Sequence, residues 1–164
     1  MTASALLDTS FLITLVNANR PHHEVAKQFY RHMLQNDMPM YFSAIVAAEF
    51  GIKQAVFDLP LSNFRTLSFS IPHGQKAADL WNALGTRDEG DTRSVVRDDV
   101  KLLAQASHEH IDFILTEDES TLHKYCDRLR QAGIVQTRSL MLSDGFDACL
   151  LREDRQTDWI GTSD

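Results

Sequence analysis

Short apolar runs alternate along this chain with longer stretches whose apolar residues recur every three or four positions. Residues 4–7 form the first run, suited to a buried strand, and Asp8 ends it. Thr9 or Ser10 then caps a helix running to about Val16. After a break at 17–21, Val25, Phe29 and Met33, with Ala26 and Tyr30, form one stripe. That stripe predicts a helix over 22–35 with Pro21 at its first turn. A strand over 40–42 leads to a helix over 44–57, with Ser43 as its N-cap. Residues 59–64 are expected as a loop, 67–71 as a strand and 74–84 as a helix. The polar segment 85–92 reads as mobile. A helix over 94–108, a strand over 113–116, a helix over 119–131 closed by Gly133 and a strand over 134–137 complete the pattern.

Strands of about four residues alternating with helices of about ten or more have the βαβ rhythm of a parallel sheet. The expected fold is α/β, a three-layer α/β/α sandwich around a central parallel sheet. At 164 residues it is one domain. In such sheets ligands bind beyond the carboxyl ends of the strands.

Composition narrows the function. With 16 basic against 23 acidic residues the formal net charge is -7, so the chain as a whole has no attraction for nucleic acid. Binding to nucleic acid would need a cation or a local basic rim. Two cysteines, Cys126 and Cys149, cannot build a disulfide framework, which favours a reducing, cytoplasmic setting. The apolar start carries Asp8 and no basic residue before it, unlike a secretory signal, and no run is long enough to span a membrane. None of the seven histidines has the spacing of a zinc site.

Four carboxylates interrupt this pattern. Asp8 and Asp118 follow strands on the expected functional edge, where aspartate is also a common helix cap. Glu49 lies on the seam of Ile45, Ala48, Ile52 and Val56, with Val46, Phe50 and Phe57 opposite. That helix is therefore expected to be buried nearly all round. Asp99 lies on the seam of Val96, Leu103 and Ala106. A carboxylate in an apolar stripe needs either a buried ion-pair partner or a function. Asp98 points about 100° away from Asp99, towards Lys101, and reads as a solvated neighbour. Two carboxylates about 5 Å apart repel by roughly 3 kcal/mol at an effective dielectric of 20. A bound divalent cation removes that conflict, and oxygen-only ligands select Mg²⁺ or Mn²⁺ over zinc.

These residues resemble those of PIN-domain ribonucleases. The matching pieces are Leu6-Leu7-Asp8-Thr9-Ser10, the SAIVAAEF segment of 43–50 with its Glu49, the Asp99-led helix to Ala106, and FILTED at 113–118. The resemblance spans about residues 4–137. It implies metal-dependent cleavage of RNA by Asp8, Glu49, Asp99 and Asp118, with Mg²⁺ or Mn²⁺ on Asp8, Asp99 and Asp118. Ser10 and Thr116 would be hydroxyls beside the metal, and Asp98 a neighbour. It also implies RNA as substrate, a protein antitoxin as a possible partner and a homodimer. Residues 1–140 would form the nuclease domain. Residues 141–164 would form an extension packed on it, with 143–147 as a capping turn or an oligomer contact. An inactive PIN-fold binding module is the alternative. A phosphatase that needs Asp-x-Asp after the first strand does not fit, because Thr9-Ser10 follows Asp8. Phe11, Leu12, Leu15 and Val16 are expected to face the core or a dimer contact. Arg93, Arg97 and Lys101 either guide a phosphate backbone or belong to a solvated stretch. Trp81 and Trp159 are isolated aromatics.

Overall fold

The computed structural model describes residues 2–152. Strands β1 (Ala5–Leu7), β2 (Met40–Ser43), β3 (Arg65–Leu67), β4 (Phe113–Thr116) and β5 (Arg138–Met141) form one parallel sheet in the order β3-β2-β1-β4-β5. Helices make every crossover. Helices α1 (Thr9–Val16) and α2 (His23–Gln35) join β1 to β2, and α3 (Ala44–Lys53) joins β2 to β3. Helices α4 (Ile71–Leu84) and α5 (Arg93–His108) join β3 to β4, and α6 (Lys124–Gln131) joins β4 to β5. The chain moves outward from β1 to β3, then crosses back to β4 on the other side of β1. Right-handed crossovers therefore put α1–α3 on one face and α4–α6 on the other. The contacts agree: α1 packs on α2 and α3, and α4 on α5 and α6. This is the expected three-layer α/β fold.

Strands β1 and β4 lie inside the sheet and are covered on both faces. Leu6, Leu7, Ile114 and Leu115 are fully buried, which is why these strands read as unbroken apolar runs. The strand order reverses at β1, so the carboxyl ends of β1 and β4 border a switch-point crevice.

Several elements differ from the sequence reading. Helix α3 stops at Lys53, and only Val46 and Phe50 are buried on it. Ile52 and Phe57 are 85% and 90% exposed. The helix packs on β2 and α1 with one side and leaves the other exposed, so the expected seam through Glu49 is not a core seam. Strand β3 ends at Leu67 and α4 begins at Ile71. Ser70 and His73 form a capping box there with Pro72 in the first turn, which starts the helix earlier than 74. The last strand is Arg138–Met141 rather than 134–137. Val135 packs into the core from a loop, and β5 alternates buried and half-buried residues. On α1, Phe11, Leu12 and Leu15 are core residues.

The segment 85–92 is fastened rather than free. Arg128 Nη2 is 2.9 Å from both Asp88 carboxylate oxygens, and Lys124 Nζ lies 2.7 Å from Asp91 Oδ2. The Tyr125 hydroxyl also donates to Asp91 Oδ2. The α4–α5 hairpin is thereby tied to α6.

Met141 ends β5, inside the stretch expected as an extension. Residues 142–152 turn back towards α2, where Phe146 meets the Phe29 ring edge-on with centroids 5.0 Å apart. Trp159 and the rest of 153–164 lie outside the described residues. No helix among the described residues is long and apolar enough to cross a membrane.

Candidate active site

Asp8 follows β1 directly and occupies the N-cap position of α1, yet its side chain caps nothing. Instead Asp8 Oδ2 accepts two hydroxyls, Ser10 Oγ at 2.8 Å and Thr116 Oγ1 at 2.8 Å. Both hydroxyls also accept a backbone N–H from the chain leaving β4. Ser10 Oγ takes that of Glu117 and Thr116 Oγ1 that of Asp118, each at 2.8 Å. Ser10 and Thr116 thus lock Asp8 to the turn that presents Asp118. Burial pushes the Asp8 carboxyl above its ordinary value, against the pull of these two hydroxyls.

Asp118 does cap. Its Oδ1 accepts the backbone N–H groups of Ser120 and Thr121 at 3.0 and 3.1 Å, at the turn into α6. Burial raises its pKa, but the Ser120 and Thr121 hydrogen bonds outweigh that, and the carboxyl sits below its ordinary value. The remaining oxygen, Oδ2, accepts from Thr121 Oγ1 at 2.8 Å.

Asp99 projects from α5 and is 8% exposed. Thr121 Oγ1 is 2.5 Å from its Oδ2. Burial, reinforced by the charges of Asp118, Asp8 and Glu49, pushes this carboxyl up to about 8. Glu49 reaches the same place from α3, where Thr9 Oγ1 donates to its Oε2 at 2.7 Å. It is an exposed side chain on the rim, not a residue of a buried seam.

Asp8, Glu49, Asp98, Asp99 and Asp118 line one cavity of about 250 Å³ at the carboxyl edge of the sheet, with Ser10 on its wall. Arg20 and Lys53 stand at the same cavity. Arg20 is held 3.5 Å from Glu117 Oε2. Among the described residues, none of Asp8, Glu49, Asp99 and Asp118 belongs to an ion pair. A structural ion pair inside the core is therefore not what holds Asp99. Asp98, on the cavity wall, is exposed and pairs with Lys101 at 3.3 Å.

The donor set fits a hard divalent cation. It is all oxygen, it converges from four chain segments, and its carboxylates lack basic partners. A second cluster does not fit a metal. His73, His108 and Glu109 bring ligand atoms within 4.8 Å of one another. His73 Nδ1, however, accepts the Ser70 backbone N–H at 3.0 Å, which puts the ring proton on Nε2. That proton goes to Glu109 Oε1 at 2.7 Å, so His73 has no lone pair left to offer a metal.

The sequence reading missed Thr121 and Glu117. Glu117 accepts from Thr14 Oγ1 at 2.7 Å and meets His22 Nδ1 at 2.8 Å, fastening α1 and α2 to the end of β4. Only the spacing of Thr121, three residues after Asp118, hinted at its place. Nothing in the local sequence marked Glu117.

Comparison with known proteins gives a consistent picture. The sequence profile of the PIN domain matches residues 5–127. No curated protein matches the sequence. Among solved structures, FitAcB of Neisseria gonorrhoeae is similar with a TM-score of 0.58 at 16% identity, covering 85% of this chain and 98% of that one. The VapBC2 complex of Rickettsia felis, bound to promoter DNA, follows at a TM-score of 0.55 and 14% identity, covering 84% and 97%. VapC20 of Mycobacterium tuberculosis, a toxin that cleaves the sarcin–ricin loop, has a TM-score of 0.54 at 20% identity, covering 82% and 99%. At these identities the structures share a fold with this chain.

Proposed function

This chain belongs to the PIN-domain family, and on that premise we propose that it is a metal-dependent endoribonuclease, the toxin of a toxin–antitoxin pair. The observation that carries the reading is the convergence of Asp8, Glu49, Asp99 and Asp118 on one cavity without a basic partner. Asp8, Asp99 and Asp118 are the residues that would hold Mg²⁺ or Mn²⁺. When bound, the ion supplies Lewis-acid chemistry, activating water and stabilising the leaving oxygen of an in-line displacement at phosphorus.

The chain's own residues do the rest. Ser10 and Thr116 keep the Asp8 carboxylate in one rotamer by two hydrogen bonds to the same oxygen. Thr121 holds Asp99 and Asp118 together. Glu49, oriented by Thr9, orients the attacking water. Arg20 and Lys53 meet the phosphates that flank the scissile bond, which a cavity of carboxylates would otherwise repel. Asp98 stays outside the reaction.

A protein antitoxin and a homodimer belong to the same proposal. The similar VapBC2 structure is a complex bound to promoter DNA, and this chain carries exposed Ile52, Phe57 and Ile71. Incubation of the purified protein with single-stranded RNA tests the enzyme. Cleavage in Mg²⁺ or Mn²⁺ that stops in EDTA and in Asp8→Asn is the expected result. Equal cleavage in EDTA would overturn it.

A further inference from the structure

A second cavity, of about 310 Å³, lies between α4 and α5. Phe69 and Trp81 wall it, and Gly74, Ala77 and Ala78 keep its α4 side open. Arg93, Arg97 and Lys101 recur every four residues along α5 and form its rim. Arg93 sits 5.8 Å from the centre of the Trp81 ring.

Three features set this groove apart from an ordinary charged surface. The chain carries a net charge of -7, so three cations around one apolar slot are a local exception. Of the acids of the adjoining 85–92 segment, Asp88 and Asp91 are already engaged by Arg128 and Lys124, and Glu89 forms no ion pair with the groove cations among the described residues. Among the described residues neither Arg93 nor Arg97 is in an ion pair. Finally, the groove shares a helix with the acidic cavity. Val95, Asp98 and Asp99 line one side of α5, and Arg93, Arg97 and Lys101 line the other. The Lys101–Asp98 contact bridges the two. A polyanion that enters the acidic cavity passes these cations within the roughly 10 Å width of one helix.

We propose that this groove is an RNA exosite. One unpaired base of the bound strand sits between Phe69 and Trp81, and the neighbouring phosphates meet Arg93, Arg97 and Lys101. Aromatic walls and a cationic rim are the combination that holds single-stranded nucleic acid. The identity of the strand rests on the ribonuclease reading; the groove itself does not.

Equilibrium binding of a labelled single-stranded oligoribonucleotide of about 12 nucleotides, within the ~4–16 nucleotide site sizes usual for such surfaces, tests this in EDTA, where cleavage is absent. Trp81→Leu is expected to weaken binding by about 5-fold or more, the lower end for loss of one stacked base. Arg97→Gln, at an exposed position, is expected to lower the log–log salt slope by about 0.7, and Lys76→Gln, at a residue that lines a separate cavity with Ser107 and His110, to leave it unchanged. Unchanged affinity and slope in both groove variants would overturn the exosite and leave the ribonuclease reading intact. An equal loss in Lys76→Gln would overturn it as diffuse electrostatics. Groove variants that keep RNA affinity but lose a co-expressed antitoxin would overturn it in favour of a protein-binding surface. These binding losses in the groove variants of a protein whose parent never cleaves RNA in Mg²⁺ or Mn²⁺ would support the exosite and sink the ribonuclease.

Discussion

The hydroxyl of Thr121 lies 2.5 Å from Asp99 Oδ2, and it has only one proton to give. The same oxygen is 2.8 Å from Asp118 Oδ2. Two charged carboxylates cannot both be satisfied by that proton. A second proton, held on Asp99, resolves the conflict by leaving Asp118 as the one charged acceptor of the Thr121 proton. This matches a carboxyl pushed up to about 8 by burial.

The first prediction follows for the metal-free protein. A folded-state pKa raised above the unfolded value means that the folded state binds more protons between 3.8 and about 8. Stability falls across that window as pH rises. Asp8 acts in the same direction and Asp118, whose pKa is lowered, in the opposite one at more acidic pH. The melting temperature in EDTA should therefore decline from pH 5 to about pH 8. Saturating Mg²⁺ at about 100 times its dissociation constant adds about 2.7 kcal/mol, so it should raise the melting temperature. Equal melting curves with and without metal would remove the cation site.

Asp99→Asn separates a functional carboxylate from a structural one. It keeps the side-chain shape and relieves repulsion, so the metal-free variant should melt no lower than the parent. RNA cleavage should fall by at least ~10², about 2.7 kcal/mol of transition-state stabilisation. Asp98→Asn should leave both nearly unchanged, since Asp98 pairs outward with Lys101. Kinetics showing the reverse order of effects would reassign the adjacent pair.

Thr121→Val keeps the volume and removes the bridge. Without the hydroxyl that favours the charged form, Asp99 should hold its proton to higher pH. The Mg²⁺ needed for half-maximal activity at neutral pH should rise several-fold, and the gap should narrow at higher pH. A pH-independent defect would mean that Thr121 acts through packing alone.

Asp91→Ala removes the acceptor for Lys124 and Tyr125 and should free the 85–92 segment. Limited proteolysis should then cut between α4 and α5 faster than in the parent. An unchanged cleavage pattern would show that Asp88 and Arg128 suffice.

Light scattering at micromolar concentration should give a dimer for the parent. Phe57 is 90% exposed and Ile52 85% exposed, so Phe57→Asp should yield a folded monomer if that face pairs copies. A monomeric parent removes the dimer.

Much of this was legible from residues in order. The strands of Leu6 and Ile114 were visible as short apolar runs because both of their faces are covered. Asp8, Asp99 and Asp118 were visible as acids at strand ends or in a stripe. Glu49 was identified for the wrong reason, since its helix is buried on one side only, although apolar residues stand all round it. Thr121 and Glu117 act through partners 22 and 103 residues away, and no local pattern encodes such pairings. The fastening of 85–92 was hidden for the same reason, because Asp88 meets Arg128 only after α6 has packed.

The central strand draws its neighbours from opposite ends of the chain. Ala5 pairs with Met40 on one side and Phe113 on the other, and Asp8 is held by Thr116 from 108 residues away. During synthesis, a nascent chain that has not yet exposed β4 has Asp8 and Glu49 but neither the Thr116 lock nor Asp118. The cavity therefore cannot assemble while the first half of the protein emerges from the ribosome. Fragments released by premature termination before β4 lack the site, which is complete only when most of the chain has been made.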